Sequence, residues 1–373
     1  MIESIFLRHF RNFSEASAKF SPTVNIFLGD NGQGKTNLLE ALYVLTTGQS
    51  FRYADNENLL RKGEPESLVK ARVRQGDLDF DLQLNILRSR KNHLLNGKKT
   101  SAQELSKKFP NVIFSPESLA AIKEGADQRR QLVDELIMSF HPRNVDIVAD
   151  FRRALKTRNK ILKNHLSGEV PLSETERLLD SLNPSFLKLA VELSHQRLEA
   201  LRAIHRDFNQ AMRFISKRDS VDISVDYVIS AQNALNFSSN DIENSLSKRM
   251  KELHDAELAS GASLVGPQKH DVVFLYGEND SRFYCSQGQQ RALILSFKMA
   301  QIVYHKRIHG FYPALMLDDV LSELDAEKRD SLIRFLSDIN TQIFITTTDF
   351  SLPSSMKSED CAVLKVREGQ IES

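Results

Sequence analysis

The chain has 373 residues, with 50 Lys and Arg against 49 Asp and Glu, a formal net charge of +1. That length suits two or three domains with ample core, and a composition 41% hydrophobic and 27% charged excludes a disordered chain. Two cysteines, Cys285 and Cys361, exclude a disulfide-rich scaffold, and near-neutral charge excludes a polycation that holds nucleic acid by bulk charge.

No apolar run approaches 18 residues and no basic-then-apolar leader opens the chain, which predicts a cytoplasmic protein with no membrane contact. The first 28 residues alternate as strands do and end in Val24-Asn25-Ile26-Phe27-Leu28. They feed Gly29-Asp30-Asn31-Gly32-Gln33-Gly34-Lys35-Thr36, then Asn37-Leu38-Leu39-Glu40-Ala41-Leu42-Tyr43 with helical spacing: strand, glycine-rich loop, helix. The glycines let backbone N–H groups converge on a β-phosphate, and the helix N-terminus adds partial positive charge. Lys35 bridges the β- and γ-phosphates, and the Thr36 hydroxyl ligates Mg²⁺. The expected ATP ligands are therefore Gly29, Asp30, Asn31, Gly32, Gln33, Gly34, Lys35, Thr36 and Asn37, with Lys35 also catalytic.

From Leu68 to about Lys99, short β-like runs with a hairpin signal at Asn96-Gly97 predict an antiparallel sheet beside the nucleotide site. Between about Leu119 and Gly261 helical segments dominate, with Val221 to Val228 as a candidate strand. Val191, Leu198, Leu201, Phe208, Met212 and Ile215 keep heptad-like spacing, broken by Ser194 and His205; a coiled-coil seam and a buried helix face both fit. Two runs free of acids are candidates for DNA phosphates: Arg88, Arg90, Lys91, Lys98 and Lys99, then Arg152, Arg153, Lys156, Arg158, Lys160 and Lys163. No aromatic interleaving marks a stacking platform for single strands.

Gly266-Pro267-Gln268-Lys269-His270-Asp271 is assigned no role. Ser286-Gln287-Gly288-Gln289-Gln290-Arg291 precedes an apolar helix carrying Leu293, Phe297, Ala300 and Ile302. A small hydroxyl, a bare glycine backbone and a helix N-terminus make a second anion site, which suggests service to the γ-phosphate of another subunit's nucleotide. Pro313-Ala314-Leu315-Met316-Leu317 then reads as a buried strand ending in Asp318 and Asp319. Asp318 would hold Mg²⁺ through water, and Asp319 would orient or deprotonate the attacking water. Lys35 and Asp318 stand 283 positions apart yet must reach one Mg-nucleotide. Both chain ends therefore form one head, 1–118 and 264–373, with a β subdomain at about 68–100 and an inserted helical lid or arm at 119–263.

Together these motifs resemble those of the ABC-type ATPases, whose signature has the form L-S-G-G-Q, and among them the SMC-like DNA-repair ATPases that act as bacterial recombination mediators. The resemblance spans nearly the whole chain: Phe10-Arg11-Asn12-Phe13, the glycine-rich loop with its helix, Ser50-Phe51-Arg52, Phe114-Ser115-Pro116-Glu117, Ser286 to Arg291, Leu317-Asp318-Asp319-Val320, Ser322-Glu323-Leu324-Asp325 and Thr346-Thr347-Thr348-Asp349. It implies an α/β fold, an ABC-type P-loop ATPase head with an inserted mainly helical domain. It adds Arg11 and Asn12 to the ATP ligands, and it implies an ATP-dependent homodimer in which Ser286, Gly288 and Gln289 act in trans and Asp325 sits at the seam. It also implies binding of duplex DNA and of junctions with single strands, cooperation with RecR and RecO in loading RecA, roles in replication and the SOS response, and residence at the nucleoid.

Three departures predict slow hydrolysis, which the resemblance implies is stimulated by DNA. Gln287 replaces the first signature glycine, Asp319 stands where most ABC ATPases carry glutamate, and Thr346 to Thr348 occupy the region of the transporters' switch histidine. A non-hydrolysing ATP-gated DNA clamp is the nearest alternative. An ABC-type subunit of another system, such as a transporter, fits the long insert poorly. A long-armed SMC protein does not fit, since even a 40-residue helix spans only about 60 Å.

Overall fold

The computed structural model describes residues 1–52, 54–217, 222–348 and 361–372. The chain begins with β1 (Ile2–Phe10), β2 (Phe13–Lys19) and β3 (Val24–Leu28), continues through β4 (Glu66–Gln75), β5 (Leu78–Leu87), β6 (Lys91–Leu95) and β7 (Lys98–Thr100), and reaches β8 (Asn111–Phe114). An antiparallel sheet runs β2-β1-β4-β5-β6-β7, so the β region expected at 68–100 is one part of a larger sheet that the chain start completes. Ser67, Val69, Ala71 and Val73 of β4 are buried at period two, the pattern of a strand with one face on the core. Asn96 and Gly97 turn the β6–β7 hairpin at φ 51° and 73°, as a type I′ turn requires.

The middle of the chain is helical over Ala126–Phe140, Pro142–Leu166, Leu172–Ser216, Ser239–Glu252 and His254–Ser260. It also contributes β9 (Ile223–Ile229), β10 (Gln232–Asn233), β11 (Asp271–Tyr276) and β12 (Asn279–Asp280), an antiparallel sheet ordered β10-β9-β11-β12. The candidate strand at Val221 to Val228 is thus present as β9; Val221 itself lies outside the described residues. The heptad-like residues lie on a single 45-residue helix. Leu198, Leu201, Phe208, Met212 and Ile215 are buried, Ser194 is buried and donates to Ala190 O, and His205 is exposed.

The chain end returns as β13 (Ala314–Asp318), β14 (Ile343–Thr347), β15 (Cys361–Arg367) and β16 (Gln370–Glu372). These join β3 and β8 in a sheet ordered β16-β15-β3-β14-β13-β8, parallel except for the terminal hairpin. Residues from both faces of β3, β13 and β14 are buried, which is why those strands read as continuous apolar runs rather than alternating ones. The chain divides into one unit of Met1–Leu119, Phe214–Lys217 and His305–Ser373 and another of Ala120–Arg213 and Arg218–Tyr304. Residues 264–304, placed with the head on sequence, group with the second unit because β11 pairs along β9 from Asp271 to Tyr276. Among the described residues no helix is long and apolar enough to cross a membrane.

Candidate nucleotide site

In the first unit, β3 stops at Leu28 and a helix of Lys35–Thr47 begins after Gly34, the N-cap, at φ 119° with no side-chain cap. The N–H groups of the first turn, which have no acceptor within the helix, are left for a ligand. Gly34 has no substitute here: a Cβ would lie 2.7 Å from Asn12 Nδ2. Lys35 is buried, and its Nζ donates to Gly29 O at 2.8 Å and Asp30 O at 3.0 Å, so the amine lies across its own loop. Asp30, Asn31 and Gly32 are exposed along the loop's rim.

Arg11 and Asn12, at the β1–β2 corner, are engaged by protein groups. Asn12 Nδ2 donates to Gln33 O at 2.9 Å, and Asn12 Oδ1 accepts from Asn37 Nδ2 at 2.8 Å. Arg11 donates through two nitrogens, each at 2.8 Å, to Glu40, a fully buried carboxylate on the loop's helix. Ser50 Oγ donates to the same carboxylate, and Arg52 stands 4.0 Å from it. Arg11, Glu40, Ser50 and Arg52 are distant in sequence but meet around one charge.

The acidic strand comes to the same place. Thr36 and Asp318, 282 positions apart, meet with Thr36 Oγ1 donating to Asp318 Oδ1 at 2.8 Å. Thr346 Oγ1 donates to that same oxygen at 2.9 Å and accepts from the Asp319 N–H at 2.9 Å, so one buried hydroxyl ties both acids together. Burial pushes the Asp318 carboxyl up to about 6; the Thr36 and Thr346 hydroxyls oppose the rise, and the charges of Asp319 and Glu117 add to it. Asp319 is also raised, by burial, against the lowering effect of Lys35. It holds φ 48°, a strained conformation for a residue with a Cβ, while Ser322 Oγ donates to its carbonyl at 2.7 Å.

Thr36 and Asp318 offer the hard oxygen ligands that Mg²⁺ takes. Among the described residues no three His, Cys, Asp or Glu side chains converge to hold a metal by themselves, so an ion here would draw the rest of its shell from phosphate oxygens and water. Two members of this site were not singled out for a role on sequence. Thr346 stood only for a missing histidine, and Glu117, whose Oε2 is buried without a hydrogen-bond partner, is visible only through its charge on Asp318. Asp349, quoted with Thr346 to Thr348, lies outside the described residues.

In the second unit, Ser286 and Gln289 cap the helix Gln287–His309 reciprocally: Ser286 N donates to Gln289 Oε1 at 2.8 Å and Gln289 N to Ser286 Oγ at 3.3 Å. Ser286 and Gln287 are exposed, and Gly288 is half-buried. Gln290, buried beneath them, donates to Ser281 O at 2.7 Å. The segment given no role on sequence reaches this region: Asp271 takes Arg129 at 2.8 Å and Arg282 at 3.1 Å, and Arg282 also pairs with Asp280, the N-cap of Ser281–Tyr284. Asp325, in the first unit, is exposed and caps Ala326–Ser337 by accepting from Lys328 N at 3.0 Å.

The basic runs divide by exposure. Arg88, Arg90, Lys98 and Lys99 are exposed, whereas Lys91 is half-buried and donates to Gly48 O at 2.9 Å. Arg153, Lys156, Lys160 and Lys163 are exposed. Arg152 is exposed too, 3.5 Å from Asp134, whereas Arg158 is a core residue paired with Glu257 at 2.7 Å and does not belong to the stripe.

Residues 1–372 match the family described as the RecF/RecN/SMC N terminal domain. A DNA replication and repair protein RecF of Heliobacterium modesticaldum is 34% identical over 99% of this chain and 98% of its own. That of Syntrophotalea carbinolica is 32% identical over 100% and 99%. A solved structure of the recombination mediator protein RecF with ATP, in the RecFOR pathway, superposes with a TM-score of 0.84 at 29% identity, covering 100% of this chain and 98% of the other. An Smc head bound to the C-winged helix domain of ScpA shares the fold alone, at TM-score 0.54 and 14% identity. With a phosphate loop, an acidic strand and a helical insertion matched from end to end, this chain has the ABC-type ATPase head fold and belongs to the RecF family.

Proposed function

We propose that this protein is an ATP-dependent DNA-binding protein of recombinational repair and replication restart. Mg·ATP joins two copies, the dimer binds DNA at single-strand gaps and junctions, and it helps load RecA with RecR and RecO while hydrolysing ATP slowly. The observation that carries the reading is the bonded chain Thr36–Asp318–Thr346–Asp319 below an uncapped phosphate loop, which joins the two chain ends in one nucleotide site. ATP binding in the related RecF structure supports the nucleotide.

Arriving phosphates would draw the Lys35 amine from the Gly29 and Asp30 carbonyls. Thr36 and Asp318 would hold Mg²⁺, which supplies positive charge to the phosphate oxygens. Asp319, raised by burial, would orient the attacking water or take its proton. Thr346 would hold both acids in place, in the region where transporters keep a histidine. Ser286, Gly288 and Gln289 lie at a partly exposed helix N-terminus whose reciprocal Ser286–Gln289 cap would open to a second copy's γ-phosphate. DNA would meet the exposed members of the two basic runs through its phosphates, strengthened when two copies join.

Sedimentation with and without ATP, and binding of gapped duplex against salt, for wild type and Lys35→Arg, test the reading. ATP-dependent dimers and a steep salt slope that Lys35→Arg abolishes are expected; nucleotide-independent binding with a flat slope would refute it. Single-turnover hydrolysis by Asp319→Asn separates a slow ATPase, in which the rate falls about a hundredfold or more, from an ATP-gated clamp, in which it does not change.

A further inference from the structure

Gln33, expected among the ATP ligands, turns both of its carbonyl oxygens to protein donors, chiefly those of the C-terminal hairpin. Its side-chain Oε1 accepts from the Glu368 N–H at 2.7 Å, and its main-chain carbonyl accepts from the Gly369 N–H at 3.0 Å as well as from Asn12 Nδ2. Glu368 and Gly369 form the turn between β15 and β16, at φ 51° and 74°, the left-handed pair of a tight hairpin. The fit is close on both sides of this contact. A Cβ at Gly369 would lie 2.5 Å from Asn12 O, and one at Gly29 would lie 2.3 Å from Val366 O. The loop's first glycine is thus required by the approach of β15, and the hairpin's glycine by the β1–β2 corner.

We propose that the Glu368–Gly369 turn is a positioning element for the phosphate loop. Gln33 and Gly34 share one trans peptide, in which C=O and N–H point in opposite directions. Two donors fix the Gln33 carbonyl toward the hairpin and corner, so the Gly34 N–H is held toward the other side of the loop, aimed before any phosphate arrives. Affinity gained this way comes from preorganisation rather than from a new contact.

The test compares two glycines with the same backbone demand. Gly369→Ala introduces a Cβ at φ 74° against Asn12 O; Gly97→Ala introduces one at φ 73° with nothing within 4 Å. ATP and ADP affinity by titration, the thermal midpoint without nucleotide, and the Gly34 amide shift by ¹⁵N NMR are read for both. Gly369→Ala should weaken both nucleotides about tenfold and move the Gly34 amide, while Gly97→Ala, which carries the backbone cost without the clash, lowers the midpoint by less and leaves affinity unchanged. Gln33→Met, which deletes one acceptor in a half-buried side chain, should weaken ATP about threefold. Wild-type affinity in Gly369→Ala would overturn the proposal; should that variant not fold, wild-type affinity in Gln33→Met would do so.

Discussion

Asp134 and Glu257 in the second unit and Asp318 in the first are all withdrawn from water, yet their partners differ in kind. Arg197 lies 2.8 Å from Asp134, and Arg158 lies 2.7 Å from Glu257, which also accepts from Leu264 N. Asp318 receives two hydroxyls instead and faces the like charges of Asp319 and Glu117. A buried carboxylate with its own guanidinium is neutralised within the fold and serves as scaffold. One supplied only with hydroxyls is costly as an anion until a cation arrives, which is the condition of a ligand site. The contrast fails if removing a cation from the first kind, or the charge from the second, has no effect of the expected sign.

The largest expected effect is on the scaffold. Arg158→Met leaves Glu257 buried and uncompensated and should cost about 3–5 kcal/mol, whereas Arg158→Met with Glu257→Met should recover most of that, since the charge leaves with its partner. Urea unfolding of the two variants measures the difference.

Removing the charge at Asp318 should have the opposite sign. Its carboxyl is up at about 6 in the folded chain against 3.8 unperturbed, so folding favours the protonated form. Burying it costs nothing below pH 3.8, progressively more from there to about 6, and the full amount above. Asp318→Asn should therefore stabilise the nucleotide-free protein by on the order of 2 kcal/mol at neutral pH, with the gain vanishing near pH 4. Thermal melts at the two pH values read the effect. Saturating Mg·ATP should reverse the order of the two proteins, because only the wild type offers the ion a carboxylate.

Much of this site is legible in the order of residues alone. The glycine-rich loop and the acidic strand are contiguous, each fixed residue has a local reason, and the distance between them already requires the chain ends to meet. What stayed hidden is tertiary. Gln33 and Glu368 carry no mark of their pairing, and Thr346 reads as the lack of a histidine until its hydroxyl is seen between two acids. Grouping 264–304 with the head followed the motif in that stretch, which carries no sign that Asp271–Tyr276 pairs with β9. Arg158 was legible in principle: Phe151, Arg158 and Leu162 share a helix face at spacings of seven and four, and both apolar neighbours are buried.

Thr346 sharpens the contrast from the hydroxyl side. Thr346→Val keeps the shape and deletes one oxygen, leaving the Asp319 N–H without its acceptor and Asp318 with one hydroxyl fewer. A loss of about 1–2 kcal/mol and hydrolysis slower by about tenfold are expected, with Thr346→Ser restoring both. Unfolding and single-turnover rates on the three proteins check it; a stability loss with unchanged turnover would leave Thr346 a core residue only.

The smallest expected effect on stability comes from the helix that carries Arg158, and it tests exposed and buried cations within one run of sequence. Lys156 and Lys160 are exposed on Pro142–Leu166, while Arg158 between them is inside. Lys156→Ala and Lys160→Ala should each move stability by less than about 0.5 kcal/mol. If this face meets DNA phosphates, each should lower the slope of log affinity against log salt by about one. Arg158→Met should do the reverse, losing stability while the folded fraction binds DNA with an unchanged slope. A slope that falls equally for all three would mean that Arg158 is not the scaffold cation its pairing with Glu257 makes it; a slope that moves for none would remove Lys156 and Lys160 from the DNA surface and make the Arg88 to Lys99 hairpins the next to test.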